Sequence, residues 1–120
     1  MSFRQHLEEV GLGVDGAVAC SLMGVDGIEV ETWFAETAPA LDLRSLLVEY
    51  SGVLRAVREA AGTHQAGDVS EVSVGTDRLL TVARLVSPDY FLVVALQPGG
   101  NQGKARYLLR MAAQKVKAEL

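Results

Sequence analysis

Tyr90-Phe91-Leu92-Val93-Val94-Ala95-Leu96 is the most uniformly apolar stretch of the chain. A run of this length, rich in β-branched and aromatic residues and closed by Pro98-Gly99-Gly100, reads as a strand buried on both faces and therefore as the centre of a sheet. Past the glycines, Asn101 is an N-cap, and Ala105, Leu108, Leu109, Ala112, Val116 and Leu120 recur at helical spacing to the end of the chain. A central strand and its covering helix form the unit that the other elements complete.

Upstream, Ser87-Pro88-Asp89 separates this strand from another at Leu79 to Val86, and Gly75-Thr76-Asp77 separates that one from a short strand at Val69 to Val74. Nearer the start, Ala17 to Met23 is a second buried strand and Ile28 to Phe34 alternates apolar with acidic residues. Gly24-Val25-Asp26-Gly27 joins the two as a hairpin. Glu29 and Glu31 mark the second strand as a charge-protected edge. Asp42 caps a long helix running to about Ala61, and Gly62 to Gly67 is a loop. Ser2-Phe3-Arg4-Gln5 has the form of a capping box opening a first helix of about two turns, ended by Gly11 and Gly13.

The order predicts an α+β fold, αββαβββα, in a single domain over residues 1–120. Hairpin connections require antiparallel pairing, and the two apolar runs belong together in the middle. The expected sheet is five-stranded and antiparallel with order 2-1-5-4-3, the long helix on one face and the terminal helices on the other.

With 120 residues and 49% apolar content, the chain can bury a core without disulfides or a metal. A net charge of −4 argues against nucleic acid or an anionic membrane as partner, although five of the eleven basic residues lie in the last helix. The single cysteine, Cys20, sits in an apolar strand and fits a reducing cytoplasm. No stretch approaches the ~20 apolar residues of a membrane span, and the charged N-terminal segment does not read as a signal peptide.

Chemistry is sought with little return. Gly11-Leu12-Gly13-Val14-Asp15-Gly16 matches the dinucleotide fingerprint by letter, but it follows a helix and opens a strand, the reverse of what that loop requires. Gly103-Lys104 lacks the first glycine and the hydroxyl of a phosphate loop and reads as a helix start. His6 and His64 have no second ligand at metal spacing. No nucleophile and base set is legible, so neither an enzyme nor a cofactor is expected.

Contact is what the residues favour. Along the long helix, Leu43, Leu47, Tyr50, Leu54, Val57 and Ala61 form one stripe facing the sheet, and Leu46, Val53 and Ala60, with Glu49 beside them, form a second. Seven-residue spacing is how a helix meets another helix, so the second stripe is read as a homodimer seam, the alternative being a helix sunk deeply in a monomer. The strand carrying Val69, Val72 and Val74 has neither Lys nor Pro, and a bare edge of this kind pairs with a two-fold copy. At the hairpin tip, Val25 and Ile28 flank Asp26, an apolar pair able to dock on another protein with the carboxylate fixing orientation. The alternative is that both residues curl onto a terminal helix.

The chain resembles the roadblock family of dynein-light-chain-related proteins. The likeness is carried by Gly13-Val14-Asp15-Gly16-Ala17 before the first strand, by Asp26-Gly27-Ile28 at the hairpin, and by Asn101-Gln102-Gly103-Lys104-Ala105-Arg106 opening the last helix. The resemblance implies a non-enzymatic homodimer with paired long helices and third strands joined into one sheet. In bacteria it implies regulation of small Ras-like GTPases in gliding motility and cell polarity, here as an adaptor that binds another roadblock-family protein. Direct binding of the GTPase by Arg44, Arg55 and Arg58 on the long helix is the nearest alternative. A PAS-like small-molecule sensor is a third, though such domains generally place several short helices where this chain has one long one.

Overall fold

The computed structural model describes residues 2–39 and 41–120. Its elements are α1 (Phe3–Gly13), β1 (Ala17–Gly24), β2 (Glu29–Phe34), α2 (Leu43–Thr63), β3 (Glu71–Gly75), β4 (Leu80–Leu85), β5 (Tyr90–Leu96) and α3 (Gln102–Glu119). The five strands are antiparallel in the order β2-β1-β5-β4-β3, as expected.

The sheet is organised about β1 and β5, which pair from Ala17 opposite Leu96 to Gly24 opposite Tyr90. Alternation divides their side chains between two layers. Cys20, Leu22, Leu92, Val94 and Leu96 face α1 and α3, where they meet Leu7, Val10, Ala105, Leu109 and Val116. On the opposite face, Met23, Phe91 and Val93 meet Leu47 and Leu54 of α2, while Val18, Ala19 and Ala95 meet Leu43. The three helices are capped as read: Ser2 and Gln5 form a reciprocal capping box, Asp42 accepts from the Ser45 N–H, and Asn101 accepts from the Lys104 N–H.

Two expectations are corrected. The first helix does not stop at Gly11 but continues for three turns, because Gly11 faces Trp33 of β2. A Cβ at this position would lie 2.2 Å from the indole Cζ3, so the glycine admits a neighbouring ring and does not end the helix. Along α2, the inner line is Leu43, Leu47, Ser51 and Leu54, and past Leu54 no residue is fully buried. Val57, expected against the sheet, is 37% exposed, and Tyr50 and Ala61 are half-buried. The helix is longer than the sheet face beneath it is wide, and its last turns overhang.

The fingerprint-like glycines are structural. Gly16 has φ +88 and packs so closely on Gly100 that a Cβ would lie 3.0 Å from its Cα. Around this contact, the Gln97 N–H donates to the Gly16 carbonyl at 2.8 Å and the Asn101 N–H to the Asp15 carbonyl at 3.2 Å. The loop before β1 is thereby stitched to the loop after β5.

Candidate functional site

The β1–β2 tip, Gly24–Ile28, is held from three directions. The Val25 N–H donates to the Asp89 carbonyl at 2.9 Å, and the Val25 carbonyl accepts from Arg55 Nη1 at 2.5 Å. Gly27, at φ +93, lies on α2, where a Cβ would sit 3.1 Å from the Ser51 hydroxyl oxygen. Within the tip, the Gly24 N–H donates to Ile28 O at 2.8 Å, and Asp26 Oδ1 accepts the Ile28 N–H at 3.1 Å. A hairpin end of this length is ordinarily mobile; this one is fixed through both main-chain polar groups of a single residue, Val25.

Its side chains divide. Val25 is half-buried and packs on the cluster of Met23, Leu47, Leu54 and Phe91, so it curls toward α2 and not onto a terminal helix. Ile28 is 67% exposed and Val30 43%, and Asp26 is exposed. An isolated exposed isoleucine is unremarkable, but one placed on a fixed tip beside a second exposed branched residue is a ready contact surface.

The three α2 arginines are engaged within the chain. Arg44 pairs with Glu29 at 2.8 Å and lies over the Phe34 ring at 5.0 Å, Arg55 holds Val25, and Arg58 Nη1 donates to the Pro88 carbonyl at 2.8 Å. Arg55 and Arg58 thus pin two neighbouring loop ends to one helix. Nothing in the sequence signalled this, since the acceptors are main-chain carbonyls that every residue carries.

The expected seam is partly open. Leu46 packs at its rim against the Leu43 cluster, and Val69 and Val72 against the Leu47 cluster, each half-buried. Val74 is also half-buried, whereas Glu49 and Ala60 are exposed and Val53 is 42% exposed. Val57 extends this outward apolar surface, whereas Val48, at 39%, lies on the other flank of the helix, beside Gly27 of the tip. Among the described residues, β3 pairs only with β4, and its outer edge has no partner strand.

The burial of His6 also escaped the sequence reading. His6 is buried at 3% exposure and its Nε2 lies 3.1 Å from Glu119 Oε1, joining the first helix to the end of the last. The hydrogen bond from His6 is the main reason that the Glu119 carboxyl is held below the usual carboxylate range. Cys20 is fully buried, and burial pushes its thiol up to about 12. Among the described residues, no group of three or more His, Cys, Asp or Glu side chains could hold a metal, and no helix is long and apolar enough to cross a membrane.

No family sequence model matches the chain, and no curated protein matches it. Solved structures do. MglC from Myxococcus xanthus is 57% identical over 100% of both chains, with a TM-score of 0.73. An MglB in a tetrameric arrangement, 19% identical, superposes with a TM-score of 0.86 over 97% of this chain and 85% of its own. A roadblock/LC7 domain from Streptomyces avermitilis, 18% identical, gives 0.83 over 96% of this chain and 94% of its own. The distant two share the fold; the first shares more than half its residues as well. The chain therefore belongs to the roadblock family and is an MglC-like member of it.

Proposed function

We propose that this protein is a non-enzymatic, homodimeric cytoplasmic adaptor that binds an MglB-type roadblock protein and so modulates a small Ras-like GTPase controlling bacterial polarity or gliding motility. The observation that carries the reading is the fixed hairpin tip, where Asp26 and Ile28 stand exposed beside a main chain already held by Asp89 and Arg55. A surface ordered before binding loses little entropy on docking. Likeness to MglC over the whole chain supports the same reading. Self-association would cover the overhanging turns of α2, with Val53 and Ala60, and the open edge of β3.

Binding of the purified chain to an MglB-type dimer, compared between wild type and the Val25→Ala, Ile28→Ala double variant, tests the reading. Loss of binding in the variant supports the adaptor. Nucleotide-dependent binding of the GTPase alone, unaffected by those changes, would replace it with direct contact through α2.

A further inference from the structure

The tip and the β4–β5 turn beside it enclose a groove of about 370 Å³, whose walls include Val25, Ile28, Val30 and Tyr90 together with Asp26 and Asp89. We propose that this groove receives an arginine side chain from the protein that docks on the tip; the identity of that protein rests on the adaptor reading, whereas the cation preference rests on the groove alone.

Charge is the first argument. Asp26 and Asp89 come from different loops, and among the described residues neither is in an ion pair. Their neighbours on β2 are not so placed: Glu29 is paired with Arg44, and Glu31 with Arg4 at 3.4 Å. Arg55 and Arg58, which bond the carbonyls of Val25 and Pro88, line no part of the groove. Asp26 gives one oxygen to the Ile28 N–H, and among the described residues the Asp89 carboxylate accepts no hydrogen bond. Two carboxylates over one groove are left for a partner to neutralise.

Shape is the second. The same groove is lined by Val30, 43% exposed, and Tyr90, half-buried. An aliphatic stem can lie along the first, and a planar cation can stack on the second. A guanidinium presents a fork of donors able to reach two separate carboxylates, which an ammonium point charge does less well. The bonds from Val25 to Asp89 and Arg55 keep both loops in place before any partner arrives.

The test has a partner-free arm. N-acetyl-arginine amide, titrated into the labelled chain, is expected to move the amide signals of Ile28, Val30, Asp89 and Tyr90, while N-acetyl-citrulline amide, nearly isosteric but neutral, leaves them in place. Asp26→Asn with Asp89→Asn, which keeps an acceptor for the Ile28 N–H, should abolish the shifts. Equal shifts from both amides, or none from either, overturn the inference. In the second arm, Asp89→Asn should weaken binding to an MglB-type dimer about tenfold and flatten its salt dependence. If Asp89→Asn binds like wild type while Val25→Ala with Ile28→Ala does not, the adaptor stands and the arginine falls. If the arginine amide titrates normally but the apolar variant still binds the dimer, the groove's preference stands and the adaptor reading falls.

Discussion

Arg55 reaches across 30 positions of sequence to the main-chain carbonyl of Val25, and this bond joins the exposed end of the first hairpin to the middle of α2. Arg55→Ala should therefore free the tip without unfolding the domain. A loss of about 1 kcal/mol in global stability is expected, together with much faster hydrogen exchange at the Gly27 and Ile28 amides. Unchanged exchange at those two amides would show that Asp89 and Ser51 suffice to hold the tip.

Gly11 should resist enlargement. In an ordinary helix interior, Gly→Ala gains up to about 1 kcal/mol, but here the new methyl would meet the Trp33 ring at 2.2 Å. Gly11→Ala is expected to destabilise by about 2 kcal/mol in chemical denaturation, and Trp33→Leu in the same background should recover part of the loss. A stabilised Gly11→Ala would mean that the indole moves aside at little cost.

Acid should weaken the fold through two carboxylates. Glu119, bonded by His6, and Asp42, bonded by the N–H and hydroxyl of Ser45, both titrate below their ordinary values when folded. A depressed folded pKa gives stability that is present above the unfolded pKa and is lost as pH falls through the folded one. Melting temperature should therefore drop as pH descends through and below the usual carboxylate range. Glu119→Gln should flatten part of that decline; an unaltered acid limb in this variant would exclude the His6 bond as a source.

Cys20 should be silent toward thiol reagents at neutral pH. With the thiol buried and pushed up to about 12, almost no thiolate exists in the native state. Labelling should proceed only at the rate of opening, and it should accelerate in denaturant alongside the loss of secondary structure. Rapid labelling of the native chain would contradict the packing of β1.

The seam can be probed without touching the core. Val53 is 42% exposed and Ala60 is exposed, so Val53→Arg with Ala60→Glu should leave the unfolding free energy of a dilute sample within about 0.5 kcal/mol of wild type. Sedimentation at micromolar concentration should then show the wild type as a dimer and the variant as a monomer. Identical sedimentation of the two would remove α2 from the proposed interface.

The sheet order was legible because the two apolar runs, Ala17 to Met23 and Tyr90 to Leu96, can be satisfied only in the middle, and hairpin turns determine the rest. The caps were legible for a local reason, since Ser2, Asp42 and Asn101 bond within their own first turns. Gly11 was misread because the ring that needs its vacancy lies on a different element, β2. Val57 was misplaced because helical periodicity gives a direction but not the width of the surface below. At the candidate site, Val25, Asp26 and Ile28 could be singled out from a turn with unusual residues. Asp89, Tyr90 and the carbonyl partners of Arg55 and Arg58 could not, because pairing with a carbonyl or sharing a groove leaves no pattern along the chain.

The pairing of β1 with β5 also bears on how the molecule is made. The partner that completes the second element of the chain is its last strand, so the ladder from Ala17 to Gly24 stays open along one side while α2, β3 and β4 are synthesised. Contacts so distant along the sequence slow folding and delay it until β5 has been made. Until Leu96 has cleared the ribosome, the nascent polypeptide carries an unfinished hairpin, and α3 can close over the sheet only after that last strand has docked.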